Sequence, residues 1–210
     1  MEITVERTGE LVLCAPHDVA DTKLRRFVRE KRFWIYTKLA EKEQLQRMVP
    51  RKEFVGGEGF LYLGRNYRLK LVAQQDVPLK LSAGRFVLRG GTPGRARDHF
   101  VHWYSERAKV WLADRVTEYK TRMEVEPAGV KVQDLGYRWG SCGKGRWLYF
   151  HWKTILLPPR IAEYVVVHEI AHLHEPHHTV AFWARVERAL PDFAYRKVWL
   201  AEHGNDVEGI

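Results

Sequence analysis

Apolar positions alternate near the start of the chain, with Ile3 and Val5 before the Thr8-Gly9-Glu10 turn and Leu11 and Leu13 after it. A period of two belongs to a half-buried strand, so residues 2–13 are predicted to form a β-hairpin. From Asp21-Thr22 a helical pattern runs to about Met48, where Pro50 and the Gly56-Gly57-Glu58-Gly59 cluster break it. Short apolar runs at residues 60–63, 67–72, 79–81 and 85–88 then read as strands, separated by Gly64-Arg65-Asn66 and Ser82-Ala83-Gly84 turns.

Beyond Gly90-Gly91-Thr92-Pro93-Gly94 the period changes again. Val101, Tyr104, Ala108, Trp111, Leu112, Val116, Tyr119 and Met123 repeat at helical spacing, predicting a long amphipathic helix that stops before Pro127. Val130-Lys131-Val132 and Trp147-Leu148-Tyr149-Phe150-His151-Trp152 read as strands flanking a loop over residues 136–145. Pro158-Pro159 opens a mostly apolar helix, and Pro176 ends it. The fold class expected is α+β: residues 1–92 form a lobe of short strands with a basic helix, and residues 93–210 a helical half with a small sheet. The Gly-rich boundary is short, so the two can equally form one continuous domain.

Charge divides the chain differently. Residues 1–100 hold 20 Lys and Arg against 12 Asp and Glu, while residues 101–210 hold 15 against 14. The surplus is densest over residues 23–52, a segment suited either to a solvated helix face or to meeting nucleic-acid phosphates. No apolar stretch approaches the roughly 20 residues of a membrane span. Met1-Glu2-Ile3-Thr4-Val5-Glu6-Arg7 is unlike a secretory leader, so a cytoplasmic location is expected. Cys14 and Cys142 are far apart in sequence and form neither a disulfide framework nor a paired thiolate metal site.

The chemistry is concentrated in His168-Glu169-Ile170-Ala171-His172. Positions i and i+4 share a helix face, so both histidines can reach one metal ion, and Glu169 beside the first is placed to take a proton from a water on that metal. A catalytic zinc takes three protein ligands and leaves a position for water. The third can come from His178, just before Phe182-Trp183, although His174 and His177 are close enough to compete. His₃ ligation suits zinc and also other divalent ions. Cys142 lies in a glycine-rich stretch beside Arg138, where a role in shaping the site outweighs a nucleophilic one. Neither phosphate-loop glycine spacing is present. Arg138, His151 and Tyr195 are the candidates for stabilising a developing oxyanion.

These residues carry a resemblance. Arg138-Trp139-Gly140-Ser141-Cys142, Trp152-Lys153, Leu157-Pro158, the Tyr164-Val165-Val166-Val167-His168-Glu169-Ile170-Ala171-His172-Leu173 run, His178-Thr179, Phe182-Trp183, Pro191-Asp192-Phe193 and Trp199-Leu200 are together similar to the YgjP-like metallopeptidases. That family is a zincin group related to SprT-type proteases. The resemblance implies a zincin-like C-terminal half, one catalytic Zn²⁺ on His168, His172 and His178, Glu169 as the catalytic residue, and a peptide or protein substrate. His151 and His177 depart from it, since the family has Asn at both. Two other functions fit the same residues: a metal-dependent nucleotide (phosphoanhydride) hydrolase, and a nucleic-acid-associated protein using residues 23–52.

Overall fold

A computed structural model describes residues 1–5, 11–17, 19–33, 35–36, 39, 50–90, 93–207 and 209–210. The chain divides into two compact units, Met1–Met48 and Val49–Ile210. In the first, β1 (Glu2–Val5) pairs antiparallel with β2 (Leu11–Cys14), Ile3 opposite Leu13. The hairpin predicted from the alternation is therefore present, although its turn lies outside the described residues. Helix α1 (Asp21–Glu30) turns Leu24, Phe27 and Val28 to its less exposed side and leaves Lys23, Arg25, Arg26 and Arg29 exposed. Arg25 and Arg26 pair within the helix with Asp21 and Glu30, both at 2.9 Å. Helical backbone recurs at residues 32–33, 35–36 and 39, while the rest of the expected continuation to Met48, with Lys38, Lys42 and Arg47, lies outside the described residues.

The second unit begins with a mixed sheet of β3 (Gly59–Tyr62), β4 (Arg65–Val72), β5 (Leu79–Ser82) and β6 (Arg85–Arg89), in the order β3-β4-β6-β5. Its hairpins close through two-residue turns, Leu63-Gly64 and Ala83-Gly84, all four with positive φ (48°, 72°, 47° and 71°), the conformation that matches strand twist. The second turn falls within the expected Ser82-Ala83-Gly84, while the first lies one residue before the expected Gly64-Arg65-Asn66. At the first, the Leu63 and Gly64 N–H groups donate to the carbonyls of Ile155 and Leu156 at 2.8 and 3.1 Å. Gly64 packs so closely on Pro158 that a Cβ would lie 2.8 Å from its Cα. The hairpin tip is thus fixed to the chain entering the His168 helix.

Helix α2 (Ala96–Arg122) is the spine of this unit. It buries Ala96, Phe100, Tyr104, Ala108, Leu112, Val116 and Tyr119, one stripe at spacings of three and four. Phe100 stacks on Phe60 with centroids 4.1 Å apart, and Tyr104 Oη donates to the Leu61 carbonyl at 2.7 Å, joining α2 to the sheet. This sheet and α2 both belong to the second compact unit, Val49–Ile210.

After α2 come β7 (Gly129–Gln133), β8 (Gly140–Cys142) and β9 (Trp147–His151), ordered β7-β9-β8, with β8 antiparallel to β9 at the edge. A 3₁₀ segment (Trp152–Leu156) leads into α3 (Pro159–Ala171), followed by α4 (Val180–Ala189) and α5 (Phe193–His203). The fold is thus mixed α+β, with five helices and small sheets among the described residues. None of these helices is long and apolar enough to cross a membrane.

Candidate metal centre

Pro159 at the first position of α3 sets the helical φ where no N–H is needed, and the Pro158 carbonyl accepts from Ile161 and Ala162. The helix is buried nearly all round, with Ile161, Ala162, Tyr164, Val165, Val166, Val167, Ile170 and Ala171 in the core. Any polar group on it therefore needs a partner or a ligand. His168 and Glu169 are the polar groups concerned.

The helix ends at Ala171, with His172 at the C-cap still in the αR region (φ −65°, ψ −16°), so the i, i+4 relation to His168 survives the helix end. The Leu173, His174 and Glu175 N–H groups then bond back to Ile170 and Ala171, forming a tight turn. Within it His172 Nδ1 donates to the Glu175 carbonyl at 3.1 Å, and His174 Nε2 donates to the Met123 carbonyl at 2.9 Å. A carbonyl can only accept, so the proton of neutral His172 sits on Nδ1 and its Nε2 lone pair is left for the site. His174 is committed to the end of α2. Thr179 caps α4 by accepting from the Phe182 N–H at 3.2 Å, and this placement presents His178.

His168, His172 and His178 converge. Their donor atoms all lie within 4.8 Å of one another, and His168 Nε2 and His178 Nε2 are 3.0 Å apart. The ring centroids form a nearly equilateral triangle of 5.0, 4.9 and 4.9 Å. Fully buried Phe182 closes one side of it, 5.0, 4.7 and 4.8 Å from the three rings. Trp183 stacks on His178 at 5.7 Å. Burial, with the neighbouring histidines and Lys197, lowers the His168 pKa to about 3, so it is an unprotonated donor at neutral pH. His177 is exposed and stands outside the cluster.

Glu169 points to β8. It is 6% exposed, and a Cβ on Gly140 would come within 2.6 Å of its Cγ and 2.8 Å of Oε1, so only glycine leaves room for the carboxylate. Burial raises its pKa to about 8, against the opposing pull of Arg138 and of the Cys142 N–H that it accepts. A carboxyl that titrates near neutrality suits proton transfer in either direction. The stretch from Gly140 to Cys142, expected as loop, is therefore a strand whose backbone holds the glutamate. Burial and Glu169 push the Cys142 thiol up, away from thiolate character.

The three oxyanion candidates separate on contact. His151 is buried, its Nδ1 accepting from the Lys153 N–H at 3.0 Å and its Nε2 lying 3.3 Å from Asp134 Oδ1, so both ring nitrogens serve the fold. Tyr195 lies on α5, 67% exposed. Arg138 is the one whose charge acts on Glu169, while its guanidinium donates to Tyr137 Oη at 3.0 and 3.2 Å. Sequence reasoning missed Phe182 as the floor of the triangle. It also missed Arg196, 8% exposed, which donates to Asp192 (2.8 Å), Glu163 (3.1 Å) and the Arg160 carbonyl (2.7 Å) and so ties α5 to α3. The i, i+4 spacing of Asp192 and Arg196 signals only the local pair within α5, not the tie to Glu163 and Arg160.

Three convergent imidazoles beside a buried carboxylate are the donor set of a metal-dependent hydrolase. The chain belongs to the YgjP-like family: the model of the YgjP-like metallopeptidase domain matches residues 1–203. The protein is accordingly a metallopeptidase-like hydrolase, a class that acts on protein or peptide substrates. A search of curated proteins finds no match. Among solved structures, the metallopeptidase zymogen of Pyrococcus abyssi abylysin is similar over 43% of this chain and 93% of its own, at 19% identity and a TM-score of 0.39.

Proposed function

We propose that the protein is a zinc-dependent peptidase with a zincin-like catalytic half, in which His168, His172 and His178 hold one Zn²⁺ and Glu169 is the general base. The observation that carries this reading is the convergence of the three donor atoms within 4.8 Å beside a carboxylate whose pKa is raised to about 8. The donor set fits the ion: His168 is unprotonated, His172 has its proton fixed on Nδ1, and neutral imidazole nitrogen is a preferred zinc ligand. Zinc, when bound, acidifies water and polarises a carbonyl. Glu169 takes the proton of the attacking water and delivers it to the departing amine, its carboxylate oriented by the Cys142 N–H and the Arg138 charge. Arg138 is the protein group best placed to add positive potential as negative charge develops on the substrate.

Stripping the protein with a chelator and reloading it tests the reading. One zinc per chain and chelator-sensitive, zinc-restored cleavage of a proteome-derived peptide library are expected. Cleavage indifferent to metal removal overturns it.

The Gly140 contact gives a second expectation. In Gly140→Ala the new methyl displaces the Glu169 carboxylate, because the atoms it meets belong to a buried side chain. Turnover should fall about 100-fold, the scale of a 1 Å misplacement of a reacting group, with zinc affinity unchanged. Comparing kcat with a zinc titration checks it.

A further inference from the structure

Two cations near the site, Arg138 and Lys197, form no salt bridge among the described residues, and of the two Arg138 acts through its charge on Glu169. Arg138 is bonded to Tyr137 Oη, as described above. Lys197, on α5, holds its Nζ 4.1 Å from the centroid of Trp183. That indole stacks on His178 at 5.7 Å and 22°, and on Phe193 at 5.6 Å and 22°. Lys197 therefore rests on the same aromatic shelf that supports the third histidine.

Its surroundings explain why it has no carboxylate partner among the described residues. Phe193, Ala194, Leu200 and Ala201, at the i−4, i−3, i+3 and i+4 positions, are all apolar. Asp192 at the start of α5 and Glu163 on α3 are both occupied by Arg196. A flexible lysine gains only a modest cation–π contact by lying over an indole, and it does so here beside a site built for a second, divalent cation. That arrangement is unfavourable until an anion enters between them.

We infer that Lys197 is a specificity-determining residue that receives a carboxylate of the peptide substrate. The inference rests on the peptidase reading of the same site. The carboxylate can belong to an Asp or Glu side chain close to the scissile bond or to the free C-terminus of the peptide. Both present the same anion to the Lys197 ammonium.

Zinc-loaded full-length protein and its Lys197→Gln and Lys197→Glu variants would be profiled on a proteome-derived peptide library. Selected sequences would then be remade as Glu/Gln pairs and as free-acid/amide pairs, which separate side-chain from C-terminal recognition. The wild type should favour the anionic member of one pair type about fivefold in kcat/KM, the upper scale of an exposed ion pair, and less at high salt. Lys197→Gln should bring that ratio to about one, and Lys197→Glu should invert it in favour of basic residues. Ratios taken within each variant are insensitive to its folded fraction. Calorimetry on Glu169→Gln with the same pairs reads the preference as affinity, independently of turnover. Indifference of the wild type to both pair types, or a preference unchanged in Lys197→Glu, overturns the inference. Preferential binding of the anionic peptides without cleavage by the wild type would instead sink the peptidase reading and leave the carboxylate site standing.

Discussion

Glu169→Gln is expected to lower kcat about 1,000-fold while zinc remains bound, and at the same time to stabilise the metal-free protein above neutral pH. The catalytic loss follows because an amide accepts the Cys142 N–H as a carboxylate does but cannot take a proton, and general-base contributions are of this order. The stability gain follows from burial. The Glu169 pKa is raised from 4.5 to about 8, so the folded state keeps a proton that the unfolded chain gives up. Its contribution is full below pH 4.5 and is lost as pH rises to about 8, a difference on the order of 5 kcal/mol. His168 runs the other way: its pKa is lowered from 6.5 to about 3, so its contribution is full above pH 6.5 and is lost as pH falls toward 3.

The two slopes oppose each other between pH 4.5 and 6.5, where they nearly cancel, and stability falls away on both sides. Glu169→Gln removes one of them. Urea unfolding of the metal-free proteins at pH 4.5, 6.5 and 8 should show equal stability at the lowest pH and a variant markedly more stable at the highest. A wild type as stable as the variant at pH 8 would mean that Glu169 is not a buried acid with a raised pKa. On the proposed reading the carboxylate is retained at a cost in stability because it is needed for chemistry.

Helix α3 was legible in the sequence alone. The i, i+4 histidines, the proline opening the helix and the apolar run around them determine α3, because a helix buried all round is written directly as continuous apolar sequence. What was not legible depends on partners distant in sequence. Strand β8 is three residues long and opens on Gly140, so it carries no readable alternation, and it is a strand because β9 supplies its hydrogen bonds. Leu63 adopts φ 48°, which no propensity rule assigns to leucine, because the hairpin tip is held by the Ile155 and Leu156 carbonyls. His151 read as a possible oxyanion donor only while Asp134 was out of view. The choice among His174, His177 and His178 likewise needed the third dimension.

That choice yields the second large effect. His178→Ala should lower zinc affinity by well over 100-fold and abolish metal-dependent cleavage, because it removes one of three donors, a larger change than losing a residue that merely orients a ligand. His177→Ala should leave zinc affinity within about twofold. The part of His177 that matters to the turn is its carbonyl, which accepts from the Thr179 N–H at 2.7 Å and is kept by alanine. His174→Ala should keep zinc and lose about 1 kcal/mol of stability with the bond to the Met123 carbonyl. Zinc titration against a competing chelator, run beside urea unfolding, reads all three. The pattern discriminates because three histidines within five residues differ only in what lies opposite them. His174 faces the end of α2, His177 faces solvent, and His178 faces two unprotonated ring nitrogens across the floor of Phe182. If His177→Ala were the variant that lost zinc, the turn between Glu175 and Thr179 would have to present the neighbouring ring to His168, and the triangle would be drawn through the wrong residue.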